Sequence, residues 1–193
     1  MNKDSLIQFV RQMLPMSHDR AAQVLDKFNP DKIARNTYLL KAGKVCNESY
    51  FIESGIIRSY TIDLEGNEVT TAFYSKNMFT CDLLSFFKRN ASKEYLQAVT
   101  DCEIWSTTYE DMQASFHTFP EYREFGRLNI INQYGMLKQR MLSVLQETAE
   151  QRYDELMNAD PEILQHVPLK YIASYLGIAD TSLSRIRKEY IRK

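Results

Sequence analysis

The hydrophobic and polar positions divide the chain into four successive patterns. Over residues 4–28, apolar residues recur at helical spacing and predict one or two short helices. From about residue 33 to residue 105, short runs of β-branched and aromatic residues are separated by Gly-containing turn signals, which is typical of strands. The six predicted strands are Thr37–Lys41, Tyr50–Glu53, Ile56–Ile62, Val69–Tyr74, Leu96–Val99 and Cys102–Trp105. Strands this short and this closely spaced favour a small antiparallel barrel or roll.

The third pattern predicts a long helix from Pro120 to about Leu145, roughly 39 Å at 1.5 Å per residue. Apolar residues with the spacing of a coiled-coil seam are Ile130, Tyr134, Leu137, Met141 and Val144. A second apolar stripe beside them consists of Leu128, Ile131, Leu142 and Leu145. We expect the first stripe to meet a partner helix and the second to cover the roll. The alternative is that both stripes belong to an intramolecular core.

The fourth pattern, Val167–Lys193, fits two short helices joined by a tight turn. The residues spaced for the inner faces of these helices are Ile172, Ala173, Leu176, Leu183 and Ile186. Gly177 stands at the end of the first helix, where a left-handed backbone conformation is favoured. Asp180 or Thr181 is expected to cap the second helix, because either side chain can accept a free backbone N–H.

The outer face of the second helix carries short hydrogen-bonding groups followed by cations, which suits a helix in the major groove of DNA. The candidate DNA-binding residues are Thr181, Ser182, Ser184, Arg185, Arg187, Lys188 and, on the first helix, Lys170. An amphipathic helix pair with a solvated charged face is the alternative. Residues 168–193 hold six cations against two carboxylates, a net charge of +4. Because the whole chain has a net charge of −1, the remainder has a net charge of −5. This concentration of positive charge beside the second helix favours DNA binding.

These residues resemble the DNA-binding motif of the Crp/Fnr family of bacterial transcription regulators, in which a Leu-Gly turn precedes a polar stretch and a Ser-Arg pair. The match lies in IASYLGIADTSLSRIR, residues 172–187. Two upstream segments, YFIESGIIRSY at Tyr50–Tyr60 and TAEQRY at Thr148–Tyr153, resemble the same family. If Arg185 matches the arginine of the Ser-Arg pair, the resemblance implies that it contacts a guanine edge.

The resemblance implies an α+β fold with an N-terminal antiparallel β-roll, jelly-roll-like and flanked by helices, of the cyclic-nucleotide-binding type. A long dimerisation helix and a C-terminal helix-turn-helix would follow it. We accordingly assign residues 1–118 to the sensor domain, 119–147 to the dimerisation helix and 148–193 to the DNA-binding domain. Because Thr148 and Gln151 form a capping-box pattern, a hinge is expected at Gln146–Thr148.

The sensor departs from the family at the ligand pocket. Cyclic-nucleotide-binding relatives hold phosphate and ribose with a Phe-x-Gly-Glu stretch, followed after about ten residues by an Arg-Ser pair. Pairing the sequences without a gap puts Cys81 at the glycine, Asp82 at the glutamate, and Ser92 and Lys93 at the Arg-Ser pair. The bidentate cation is therefore lost, and lysine does not replace it at a phosphate fork. These four residues remain the candidate ligand-binding set, for an effector that we expect not to be cAMP.

The C-terminus is a second departure, because relatives commonly continue past the reading helix into a β-hairpin wing. The sequence stops at Lys193, so we expect little or no wing. The candidates to replace its contacts with the DNA backbone are Lys170, Tyr171, Ser174, Arg192 and Lys193.

Composition and motifs limit the remaining functional classes. No apolar stretch approaches the roughly 20 residues of a membrane span, and the N-terminus does not resemble a secretion signal. The three cysteines are widely spaced without metal or cluster spacing, which suggests reduced thiols in the cytoplasm. The motifs GxxxxGK[ST], HExxH and GxSxG are missing, so we expect neither an enzyme nor a resident metal or cofactor.

The sequence thus predicts a cytoplasmic, homodimeric transcription regulator that reads a palindromic site in double-stranded DNA, with no membrane partner. RNA polymerase and an unidentified small-molecule effector are further candidate partners. The alternative is a ligand-sensing or protein-interaction module whose DNA-binding domain is degenerate.

Overall fold

The computed structural model describes residues 2–191, which form two β-sheets and nine helices. The strands of this part of the chain are β1 (Asn29–Ile33), β2 (Tyr38–Leu40), β3 (Glu48–Ser54), β4 (Ile57–Ile62), β5 (Glu68–Tyr74), β6 (Phe79–Thr80), β7 (Tyr95–Ala98) and β8 (Cys102–Thr108). Its helices are α1 (Asp4–Met13), α2 (His18–Val24), α3 (Leu83–Lys88), α4 (Tyr109–Thr118), α5 (Pro120–Gln146), α6 (Ala149–Ala159), α7 (Pro161–His166), α8 (Leu169–Leu176) and α9 (Asp180–Ile191).

The strands build the predicted antiparallel roll. One sheet has the order β1-β8-β3-β6 and the other the order β2-β7-β4-β5, and all neighbouring strands are antiparallel. Ile52 and Ile104 of the first sheet and Ile57 and Leu96 of the second are buried in a common core. The two sheets therefore face each other, and the α+β fold expected from the sequence is confirmed.

A glycine fixes the connection between the two sheets. Gly55, between β3 and β4, has a φ of +92°, and a Cβ atom there would lie 2.4 Å from the carbonyl oxygen of Asp101. Both the left-handed backbone and the close approach exclude a side chain. The chain can therefore pass from one sheet to the other at this point only with glycine.

The N-terminal helices pack on the outer face of the first sheet. A second core joins Leu6 and Val10 of α1 to Phe51 and Trp105 of the sheet, and extends to the start of α5. At the start of α5 it includes Tyr122 and Phe125. The first turns of α5 thus belong to the core that packs on the roll.

This geometry corrects the expectation for the second stripe of α5. Ile131, Leu142 and Leu145 are exposed and Leu128 is half-buried, so this stripe does not cover the roll. The buried residues of α5 are Tyr122, Phe125 and Ser143, on another side of the helix. The alternative of a wholly intramolecular core is also wrong, since both stripes face solvent.

Candidate DNA-binding surface and sensor site

Helices α8 and α9 form the helix-turn-helix that the sequence predicts. Ile172, Leu176 and Leu183 are fully buried between them. Gly177 ends α8 with a φ of +69°, and the backbone N–H of Ile178 donates to the carbonyl oxygen of Ala173 at 3.0 Å. The turn thus has the left-handed glycine that the sequence indicates.

The start of α9 differs from the expectation in one detail. The helix begins at Asp180, and the carbonyl oxygen of Ala179 accepts the backbone N–H of Leu183. Ala179 therefore occupies the capping position, so neither Asp180 nor Thr181 caps the helix. Asp180 instead lies in the first helical turn, where a carboxylate interacts favourably with the helix dipole.

The predicted reading face of α9 is open to solvent. Thr181, Ser184, Arg185 and Lys188 are exposed, whereas Ser182 and Arg187 are half-buried beside the core. Lys170, at the start of α8, is also exposed. Thr181, Ser184, Arg185 and Lys188 thus share the exposed side of α9, and contact of the seven candidate residues with DNA stays a prediction.

Two residues proposed as substitutes for the wing have another role. Tyr171 stacks on Arg58 of β4, and the Ser174 hydroxyl is hydrogen-bonded to the backbone of β5. The face of α8 that holds them is therefore covered by the sensor sheet instead of being free for phosphates. Arg192 and Lys193 lie outside the described residues, and the absence of a wing stays a prediction.

The break between α5 and α6 lies within the predicted hinge. Glu147 and Thr148 have extended backbones, and Thr148 forms a complete capping box with Gln151. Arg152 bridges this break to α8, because it donates to the carbonyl oxygens of Glu147 at 2.6 Å and of Leu176 at 2.9 Å. The predicted hinge is thus tied to the turn of the helix-turn-helix. The domain boundaries themselves stay predictions.

The seam of α5 presents five apolar side chains to solvent. Ile130, Tyr134, Leu137, Met141 and Val144 have exposed fractions between 43% and 68%. Gly135 lies between them on the same helix with no atom within 4 Å of the position of a Cβ. Such a continuous apolar stripe on a long helix marks an interaction surface.

In the sensor, the candidate ligand-binding residues are engaged by the protein or face solvent. The Asp82 carboxylate caps α3 by accepting the backbone N–H of Ser85 at 3.1 Å. The buried Ser92 hydroxyl bonds the backbone of Glu94, and Lys93 is exposed. Arg89, the nearest arginine along the chain, donates to the carbonyl oxygen of Cys46 at 2.8 Å.

Two carboxylates of this region, Asp82 and Glu94, interact electrostatically. Glu94 accepts a hydrogen bond from the Ser59 hydroxyl at 2.8 Å. Burial, and further the charge of Asp82, raise the pKa of Glu94 above its usual value. Asp82 and Glu94 thus influence each other electrostatically, and the expectation that cAMP is not the effector stays a prediction.

The thiols of the roll are shielded. Cys46, Cys81 and Cys102 are all free, and burial raises the pKa of each thiol. Within residues 2–191, no group of His, Cys, Asp and Glu side chains is arranged to hold a metal ion. No helix in this part of the chain is long and apolar enough to cross a membrane.

The chain resembles a known domain family and a known regulatory protein. Residues 30–118 match the cyclic nucleotide-binding domain family. The fumarate and nitrate reduction regulatory protein of Vibrio cholerae is 25% identical over 180 residues, which cover 87% of this chain and 70% of that protein. The chain thus resembles a protein that is named as a regulator over most of the length of both.

Solved structures show the same architecture. The c-di-GMP-responsive global regulator CLP of Xanthomonas campestris superposes with a TM-score of 0.71 at 15% identity, over 91% of this chain and 92% of that one. A Crp/Fnr-family transcriptional regulator of Eubacterium rectale gives 0.69 at 14% identity, over 93% and 87%. These likenesses confirm the resemblance to the Crp/Fnr family that is found in the sequence.

Proposed function

We propose that this protein is a homodimeric transcription regulator that reads a palindromic DNA site through α9 and responds to an effector other than a cyclic nucleotide. The observation that carries the proposal is the exposed reading face of α9 above a fully buried helix-turn-helix core. Arg185 projects from that face and is the candidate for a bidentate contact with guanine. Lys170, Arg187 and Lys188 are the candidates for phosphate contacts.

The dimer follows from the seam of α5. Pairing this seam with that of a second copy would bury ten apolar side chains that otherwise face water. A two-fold axis along the paired helices presents two copies of α9, so the DNA site should be a palindrome. Its half-sites should be centred about 34–36 Å apart, one turn of the double helix.

The sensor chemistry supports an effector other than cAMP. Asp82 and Glu94 are close enough to influence each other, and Arg89 is engaged by the carbonyl oxygens of Cys46 and Phe86 and by the side chain of Asn47. An open cleft of about 760 Å³ between β5, α5 and α8 offers another space at the junction of sensor and reader. The effector is accordingly sought among molecules that do not need a phosphate-binding arginine.

The test is a DNA-enrichment titration of the purified protein against genomic fragments of its host, at two salt concentrations, with and without cAMP. We expect one shared palindrome to be recovered, with binding that weakens as salt rises and does not change with cAMP. Recovery of only unspecific, salt-sensitive fragments would favour the protein-interaction module instead. A change in recovered sites on adding cAMP would contradict the effector proposal alone.

A further inference from the structure

A buried arginine joins the sensor sheet to the helix-turn-helix. Arg58 of β4 has no exposed surface, and its guanidinium lies between two tyrosine rings. Its Cζ atom is 4.1 Å from the ring centroid of Tyr60, in the same strand, and 3.4 Å from that of Tyr171, in α8. Burial of a guanidinium is costly unless it is paired, and aromatic faces together with fixed acceptors compensate this cost.

The acceptors that hold Arg58 all belong to the sensor. Its Nη2 atom donates to Oε1 of Gln97 at 2.9 Å and is ion-paired with Glu68. The hydrogen-bond and ion-pair partners of the guanidinium thus lie in the sheet, and the ring of Tyr171 in α8 contacts it as well. Arg58 is therefore the residue of the sheet against which Tyr171 of α8 packs.

Ser174, one turn further along α8, contacts the edge of the same sheet. Its hydroxyl accepts the backbone N–H of Thr70 at 2.9 Å and donates to the carbonyl oxygen of Glu68 at 3.0 Å. Because β5 is an edge strand, these two backbone groups have no neighbouring strand to pair with. Ser174 therefore satisfies them and fixes the position of α8 along the strand.

The other end of α8 is held by the long helix and by α6. Arg140 of α5 donates to the carbonyl oxygen of Tyr175 and stacks on its ring, whereas Arg152 of α6 donates to that of Leu176. Cations are favourable at this end because the last carbonyl oxygens of a helix carry partial negative charge. The α8–sheet interface, defined as the contacts of Tyr171 and Ser174 with Arg58, Thr70 and Glu68, is therefore joined to the helix that carries the dimer seam.

We infer that Arg58 is a positioning residue: through Tyr171, it holds the helix-turn-helix so that the two copies of α9 in a dimer keep the spacing of a palindrome. The inference rests on the proposed function. With the α8–sheet interface formed, the face of α9 with Thr181, Arg185 and Lys188 is exposed. The interface therefore leaves the reading face free. A reader held in this way loses less orientational freedom when both half-sites bind.

The test compares Tyr171→Leu with the conservative Tyr171→Phe, which keeps the ring. Binding is measured on the full palindrome and on a duplex that holds one half-site, for the full-length protein. We expect Tyr171→Leu to weaken palindrome binding about 10-fold or more and half-site binding less than about twofold, with Tyr171→Phe close to wild type. Amide hydrogen exchange should become faster in α8 and at Thr70 in the leucine variant only.

Ser174→Ala and Arg58→Met provide second variants at the same interface, and we expect both to reduce the preference for the palindrome over the half-site. Equal losses on both DNAs would show that Tyr171 contacts DNA directly and would overturn the inference. Tighter palindrome binding would mean that the interface restrains the reader, and this also overturns it. If wild-type protein did not prefer the palindrome to the half-site, the proposed function itself would fail, which separates the two failures.

Discussion

At the scale of single residues, base reading should depend on Arg185. We expect Arg185→Ala to remove about 1–3 kcal/mol of discrimination in each half-site, since a bidentate contact to guanine would be lost. Enrichment and titration should then show no preferred site, while sedimentation still shows a dimer. Lys188→Ala is the matched control, because loss of a phosphate contact weakens binding to all sequences alike. Wild-type site preference in Arg185→Ala would show that α9 is assigned wrongly.

The charge of Glu94 should make the stability of the fold depend on pH. Burial raises the pKa of Glu94 in the folded protein above the usual 4.5. Above the raised pKa the buried carboxylate is ionised and destabilises the fold. Below pH 4.5 it is neutral in both the folded and the unfolded protein, and this destabilisation disappears. We expect Glu94→Gln, which keeps an acceptor for Ser59, to raise the melting temperature at pH 7 and to have little effect near pH 4. Exposed Glu65→Gln should show no such difference. An equal gain at both pH values would contradict the assignment.

The residue scale also shows what sequence reasoning missed. A charged residue within a strand indicates solvent exposure, yet Arg58 is among the most buried residues of the chain. Tyr171 and Ser174 were expected to face DNA because polar positions on a helix suit phosphates, but they suit a sheet edge and an arginine equally well. The periodicity of α8 identifies its apolar face correctly. It does not show whether the polar face of α8 packs against DNA or against the sheet.

At the scale of secondary structure, the seam of α5 should carry the dimer. We expect Leu137→Glu to raise the dimer dissociation constant about 100-fold or more, because two unpaired carboxylates would be buried at the axis. Sedimentation equilibrium measures the change. Gln139→Glu, which is exposed and outside the seam, is the control and should leave the dimer intact. A Leu137→Glu protein that still sedimented as a dimer would exclude the seam.

Elements with a strong hydrophobic pattern were predictable, including six of the eight strands, whereas β1 and β6 were not. The long helix and both helices of the reader follow from apolar spacing, and their bounds agree closely with the structure. Strand β1 was missed because Asn29–Ile33 is mostly exposed and contains Pro30, which an edge strand tolerates. The two stripes of α5 are equally apolar, so the sequence could not show that the second faces solvent.

At the scale of the whole molecule, the separation of charge predicts the salt dependence of DNA binding. Three candidate phosphate contacts in each protomer, Lys170, Arg187 and Lys188, give about six in a dimer. The logarithm of the binding constant should then fall with the logarithm of salt concentration with a slope of about −5. Lys188→Ala should reduce the slope by about 2, one for each half-site. A slope near zero for wild-type protein would contradict contact through these cations.

The shielded thiols have a practical consequence for spectroscopy. A thiol with a raised pKa reacts slowly with alkylating reagents, since the thiolate is the reactive form. Cys46, Cys81 and Cys102 should therefore label slowly in the folded protein, without being replaced. A cysteine in place of Leu64, fully exposed between β4 and β5, would accept a spin label first. Paired labels would then report the distance between the two sensors of a dimer in solution.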